Sequence, residues 1–137
     1  MAIMDETRTR ARALQLLYAW EVQGEVSSAK AASGLERLVH QPRIVDQAET
    51  LANAVIADIA ELDRHAEAAA ENWRWERIAT VERNILRLGV HELKVGDVPP
   101  KVAITEAVEL ARRFGGARAP AFVNGVLDRV ARTLGRL

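Results

Sequence analysis

Arginine and aromatic residues are the side chains of this sequence whose spacing could do chemistry. Arg8, Arg10 and Arg12 stand at alternate positions near the amino terminus. Because helical residues turn by about 100° per position, Arg8 and Arg12 share one helix face and Arg10 lies roughly opposite. Guanidinium groups there can hold phosphates, and the same spacing also fits an ordinary solvated helix start. The pattern favours binding of a ligand that carries phosphate.

Three further residues fit recognition of single-stranded RNA. Tyr18 follows these arginines, and Phe122 and Asn124 stand in the run AFVNGVLD. Aromatic rings that stack on bases, beside amides that hydrogen-bond to base edges, are common in such recognition. Phe122 also fits a core position, Asn124 a hydrogen bond at a helix start, and Gly125 a close approach of two helices. The spacing leaves these alternatives open.

Catalytic and metal-binding patterns are absent from the sequence. There is no cysteine, and His40, His65 and His91 do not fall at the short spacings of paired metal ligands. A glycine-rich phosphate loop and a nucleophile elbow are also missing. We therefore expect a protein that is not an enzyme, holds no metal and needs no cofactor.

The charged residues sum to a net charge of zero, with 19 basic and 19 acidic side chains among 137 residues. Their distribution is uneven, because residues 31–98 hold twelve acids and eight bases whereas residues 99–137 hold seven bases and three acids. The balance excludes binding of nucleic acid through overall positive charge, but it allows local basic patches. The polar start and the lack of a long apolar run predict a cytoplasmic protein without a membrane segment.

Helical periodicity runs through nearly the whole chain, and no alternating strand pattern competes with it. The spacing predicts helices over residues 6–23, about 29–40, 44–70 and 78–95, a further helix that carries residues 102–114, and a last helix from Pro120 onward. Glycine and proline at residues 96–100, and the glycine pair at 115–116, end two of these helices. The expected fold class is all-α, with six to seven helices arranged as two small bundles that divide near residues 72 and 73.

Three blocks of the sequence carry a family resemblance: RARALQLLYAW at 10–20, VERNILRLGVHEL at 81–93, and VPPKVAITEAVELARRFGG at 98–116 followed by FVNGVLD at 122–128. In these blocks the chain resembles the NusB family of bacterial transcription antitermination factors. The resemblance implies one RNA-binding domain with helical subdomains at about 1–72 and 73–137. It also implies binding to boxA RNA of ribosomal RNA transcripts together with NusE, a small-subunit ribosomal protein. Other antitermination factors and RNA polymerase would be indirect partners.

Pattern and resemblance together define a set of candidate site residues. The candidate RNA-binding residues are Arg8, Arg10, Arg12, Tyr18, Arg87, Arg118, Phe122 and Asn124. The resemblance implies partner binding for Glu82 and Arg83, in the central helix.

Departures from the family pattern predict weak RNA affinity for the protein alone, with the partner supplying the rest. Asp5 and Glu6 stand where many members have a longer basic run, and Ala121 precedes Phe122 where a basic residue is common.

Two alternatives stay open at this point. A similar helical domain precedes the catalytic domain of ribosomal RNA cytosine methyltransferases, so the chain could be the RNA-binding portion of such an enzyme. The other alternative is a self-associating helical module, a homodimer whose interface covers the surface that would hold RNA.

Overall fold

The described part of the chain is built from helices alone. A computed structural model describes residues 3–23, 30, 32 and 41–137, and none of these residues lies in a strand. The elements are α1 (Ile3–Val22), α2 (Pro42–Ala57), α3 (Ile59–Ala69), a short 3₁₀ helix (Trp75–Arg77), α4 (Thr80–Val95), α5 (Pro100–Phe114) and α6 (Ala119–Thr133). The all-α prediction is confirmed. The helix predicted at about 29–40 lies outside the described residues, apart from residues 30 and 32.

The chain divides into two compact units, Met1–Ala57 and Asp58–Leu137. In the first, α1 packs against α2, and Leu17 and Val45 are fully buried. In the second, α4 contacts α3, α5 and α6. The predicted division near residue 72 stays a prediction; in the second unit the apolar side of α3 packs on α4 and α6.

α4 is the central helix of the second unit. Its seven consecutive residues Asn84–Val90 are all buried, which is typical of a helix surrounded on every side. It ends at Gly96, whose φ of 77° is left-handed and whose N–H donates to the Glu92 carbonyl at 3.0 Å. Such a C-terminal glycine satisfies a carbonyl that the helix would otherwise leave unpaired. None of the described helices is both long and apolar enough to cross a membrane.

The predicted single helix over residues 44–70 is wrong, because the helix is interrupted at Asp58. The backbone angles of Asp58 are φ −114° and ψ 17°, outside the helical region. Aspartate favours helix ends over helix interiors, since its side chain competes for local hydrogen bonds. The Asp58 carboxylate makes no capping bond to α3 and instead accepts a hydrogen bond from Lys94 of α4 at 2.6 Å, so its backbone angles alone mark the start of α3.

Close approach of two helices occurs at Gly89 rather than at Gly125. A Cβ on Gly89 would lie 2.5 Å from Cδ1 and 2.9 Å from Cδ2 of Leu127, so only glycine lets α6 approach α4 this closely. At Gly125 no described atom beyond its own helix backbone and chain neighbours lies within 4 Å of the Cβ position. The expectation that Gly125 serves helix packing is therefore wrong.

Substitution of Gly89 by alanine is expected to destabilise the protein. Alanine is the better helix former by about 1 kcal/mol, but overpacking a buried contact costs about 1–3 kcal/mol, and Leu127 is itself fully buried. Urea unfolding should show a lower free energy for Gly89→Ala. In a double-mutant cycle with Leu127→Ala the cost should shrink, because the clash is gone. An unchanged or raised stability of the single variant would contradict the packing described.

Acid is expected to destabilise the protein through His91 of α4. Burial lowers the pKa of His91 below its usual value near 6.5; the charge of Asp58 opposes this shift and that of Lys94 adds to it. The unfolded chain then binds the proton more readily, so stability is lost as pH falls from about 6.5 towards the lower folded pKa. Urea midpoints measured from pH 7.5 down to 5 should fall more steeply for the wild type than for His91→Gln. Parallel curves would contradict this assignment.

Candidate nucleic-acid interface

An open groove in the second unit is lined by an aromatic pair and two arginines. Trp73 and Phe122 lie with their ring centroids 5.1 Å apart and their planes tilted by 59°. Arg77 and Arg118 line the same groove and are exposed, as is Glu82 in part. The groove has a volume of about 400 Å³. It therefore joins flat apolar surface to positive charge.

Local sequence places these groups. Trp73 follows the end of α3 in a turn closed by its N–H on the Ala70 carbonyl at 3.0 Å. Pro120 lies in the first turn of α6, where its missing N–H costs nothing. The Phe122 N–H donates to the Arg118 carbonyl at 3.2 Å, so Arg118 stands one turn before Phe122 on the same helix face.

The groove's chemistry is that of stacking and phosphate binding. Trp73 is 55% exposed, which leaves much of its ring available to a flat partner. Aromatic rings stack on nucleobases of any sequence, and arginine binds phosphate with two parallel N–H donors. Within the described ranges, no three His, Asp or Glu side chains are grouped so as to hold a metal ion.

Trp73 and Arg77 are site residues that the sequence reasoning missed. The sequence offers Trp73 in the run NWRWER, beside several arginines. There the tryptophan suggests only a boundary between helix sets, because it belongs to no helical period. Its pairing with Phe122, far along the chain, becomes visible only in the fold.

Arg87 lies inside the second unit rather than on the groove. It is only 5% exposed, and its Nε and Nη2 donate to the two carboxylate oxygens of Asp63 at 2.7 and 2.9 Å. Its Nη1 donates to Asn84 Oδ1 at 2.9 Å, and its guanidinium carbon lies 5.7 Å from the ring centroid of Trp75. These contacts give Arg87 a structural role, and we do not propose it as an RNA contact.

The candidate partner-binding residues lie at the start of α4. Arg83 donates from Nη1 to the Ile78 carbonyl at 2.8 Å and from Nη2 to Thr80 Oγ1 at 3.3 Å, which holds the segment before α4 in place. Glu82 lines the groove beside Gly116. Partner contact by Glu82 and Arg83 stays a prediction.

The candidate residues of the first unit lie on different sides of α1. Arg8 is exposed and Tyr18 is 43% exposed, whereas Arg10 is only 6% exposed. Arg12 is half-buried and donates to Gln15 Oε1 at 3.3 Å, and in the described part of the chain its buried Nε has no hydrogen-bond partner. Burial of Arg10 opposite Arg8 agrees with the helical spacing, and it leaves Arg8, Arg12 and Tyr18 as the accessible candidates.

Asn124 does not join Phe122 at the groove. Its side chain is exposed, but two helical positions separate it from Phe122, which is about 200° around α6. A ligand on the aromatic groove would therefore meet Arg118 rather than Asn124.

Comparison with known proteins decides the family. The profile of the NusB family matches residues 7–132. The chain belongs to the NusB family. It is 42% identical over 134 residues to the transcription antitermination protein NusB of Anaeromyxobacter sp. (strain Fw109-5), across 93% of this chain and 90% of that protein. It is 43% identical over 129 residues to the NusB of Sorangium cellulosum (strain So ce56), across 93% and 92%.

A solved structure extends the comparison to the fold. The chain resembles a chain in the crystal structure of antitermination factors NusB and NusE in complex with dsRNA, with a TM-score of 0.82 and 26% identity. The match covers 96% of this chain and 99% of that chain. Family and fold therefore agree with the resemblance stated from the three sequence blocks.

Arg87→Ala is expected to lower the free energy of unfolding by about 3 kcal/mol, since removal of one partner leaves the carboxylate of Asp63 without its counter-ion in a partly buried site. The matched control is Arg112→Ala, whose exposed pair with Glu109 is typical of surface pairs worth about 1 kcal/mol or less. Urea unfolding measures both. Equal losses in the two variants would contradict the structural role of Arg87.

Proposed function

We propose that this protein is an RNA-binding transcription antitermination factor that binds boxA RNA of ribosomal RNA transcripts together with NusE. The observation that carries the proposal is the aromatic groove, where Trp73 and Phe122 lie beside Arg77 and Arg118. The names of the NusB relatives support a regulatory protein rather than an enzyme. Such a protein acts in the cytoplasm, where bacterial transcripts are made.

The groove suits a single-stranded base with its phosphate. A base inserted beside the tilted ring pair would stack on one ring and meet the edge of the other, and the arginines would bind the flanking phosphates. Arg8, Arg12 and Tyr18 of the first unit are the further RNA contacts in this proposal. Arg8 is exposed in the first turns of α1, which leaves its guanidinium accessible to a phosphate.

In this proposal NusE supplies the rest of the binding free energy for RNA. The solved structure of NusB and NusE with dsRNA supports a joint complex. Glu82 and Arg83 are the proposed contacts to the partner, and the excess of acids in residues 31–98 suits a basic ribosomal protein. Two weak contacts joined on one RNA act as a stronger one, because the first raises the effective concentration of the second.

Trp73→Ala and Phe122→Ala are each expected to weaken binding of labelled boxA RNA in the presence of NusE about tenfold. Loss of one stacked base costs about 1–3 kcal/mol, and about 1.4 kcal/mol is tenfold in affinity. Phe114→Ala is the matched control, since the exposed ring of Phe114 lies outside the groove, with the Arg113 guanidinium carbon 4.9 Å from its centroid. RNA titrations by fluorescence anisotropy give the affinities.

The same RNA titrations, repeated at several salt concentrations and with a scrambled RNA, test the specificity of binding. For about four neutralised phosphates the log–log salt slope on single-stranded RNA should be near −3. Equal affinity for a scrambled RNA at every salt concentration would contradict the boxA proposal.

Light scattering tests the homodimer alternative, because a dimer that persists at RNA saturation is incompatible with an interface that covers the RNA surface.

A further inference from the structure

One face of α6 is open to solvent in part along its length in the described part of the chain, although Phe122 packs against Trp73 and Arg129 binds the Ala69 carbonyl. Arg118, Phe122, Gly125, Arg129 and Arg132 follow one another at alternating steps of four and three residues, which places them in a single stripe along the helix. All five are exposed or partly exposed, whereas the opposite face forms part of the core. We call these five residues the α6 stripe.

In the described part of the chain, no backbone angle or close contact requires glycine at Gly125, the centre of the α6 stripe. It does not have the positive φ that would require one, since only Gly96 and Gly135 among the described glycines do. None of the described helices approaches it, because no atom of the described neighbours lies within 4 Å of the place where a Cβ would stand. Glycine also weakens a helix interior relative to alanine. Its effect is to leave the helix backbone uncovered between Phe122 and Arg129.

A second groove lies at the far end of the α6 stripe. It has a volume of about 380 Å³ and is lined by Arg64, His65, Arg129 and Arg132, with Glu71 as a lining carboxylate. Its distance from Phe122 is about 15 Å along the helix axis, at about 1.5 Å per residue. Positive side chains therefore lie at both ends of the α6 stripe.

The arginines of this second groove are held in place by contacts within the second unit. Arg129 donates from Nη1 to the Ala69 carbonyl at 2.9 Å, at the end of α3. Arg132 donates from Nε to Asp128 at 2.9 Å, and its side chain is still 65% exposed. A guanidinium carries five N–H donors, so one such bond orients the group and leaves donors for a phosphate.

We propose that the α6 stripe is a track for the phosphodiester backbone of single-stranded RNA, leading from the aromatic groove to the second groove. The inference rests on the proposed function, since it extends the same RNA. Charge complementarity favours RNA as the occupant, because the arginines of the stripe, with Arg77 and Arg64 in the two grooves, outnumber the lining carboxylates Glu82 and Glu71 and the Asp128 that pairs with Arg132. A protein helix would need apolar anchors, and Phe122 is the single large apolar residue of the stripe. The bare backbone at Gly125 lets a sugar–phosphate chain lie close to the helix.

Gly125→Ala separates this role from a structural one. The added methyl group should raise the urea midpoint, because alanine is the better helix former, and should lower the affinity for labelled boxA RNA with NusE at least threefold. Gly125→Gln, with a longer side chain over the same strip, should lower it further. A variant that is more stable yet binds more weakly cannot be explained by unfolding.

Arg132→Ala tests the far end of the track. It should weaken RNA binding about threefold and make the log–log salt slope shallower by about 0.7, the value for one lost phosphate contact on a single strand. Arg112→Ala is the matched control, because Arg112 on α5 is 62% exposed and pairs with Glu109 much as Arg132 pairs with Asp128. The control should leave affinity and slope unchanged.

The outcomes distinguish this inference from the proposed function. If Gly125→Ala and Arg132→Ala keep wild-type affinity while Phe122→Ala loses it, the track is wrong and the aromatic groove stands. If the wild type with NusE does not bind boxA RNA, the proposed function itself fails. If the α6 variants lose NusE in the absence of RNA, the face is a protein contact and the track is overturned.

Discussion

The ion pair between Arg87 and Asp63 is the contact on which the second unit's groove depends. A charge as deeply buried as that of Arg87 is stable only with a partner, and this partner is on α3 while the arginine is on α4. The pair therefore ties α3 to α4, and the stacking of the guanidinium on Trp75 ties the 3₁₀ helix to both. Trp73 and Arg77 stand two residues to either side of Trp75. The wall of the groove thus takes its position from a side chain that does not line it.

Glycine at two positions then determines what α6 presents. Gly89 lets Leu127 pack directly on the backbone of α4, and this contact fixes which side of α6 faces inward. Because Leu127 faces the core, the α6 stripe with Phe122 and Gly125 must face outward, since Leu127 and the stripe lie on different sides of the helix. The same residue type serves a tight core contact in one helix and an open surface in the other.

Sequence alone predicted the all-α fold and the family but not the arrangement of charged groups. The apolar period predicts that these segments are helical. Gly96 and Gly115 end helices where expected, because a helix end at glycine depends on local sequence. The break at Asp58 was missed because the apolar period continues across it. The role of Arg87 was missed because its partner lies 24 residues away, and a buried arginine has no local signature. The pairing of Trp73 with a distant ring, and the division into units, also depend on contacts between helices.

Because the net charge is zero, any attraction of the protein for RNA depends on how its arginines are arranged locally. At physiological salt, charges further apart than about 8 Å are largely screened from one another in water, so the charges that matter to a contact at α6 are near neighbours, including the carboxylates of Glu71 and Glu82 that line the two grooves. The same screening removes any long-range attraction of the whole chain for RNA. In the proposed function, affinity must then come from short-range contacts, stacking at the groove and guanidinium–phosphate pairs beside it. Such contacts would require a single strand whose bases are free to turn towards the protein, and that requirement would select the RNA by shape before any base edge is read.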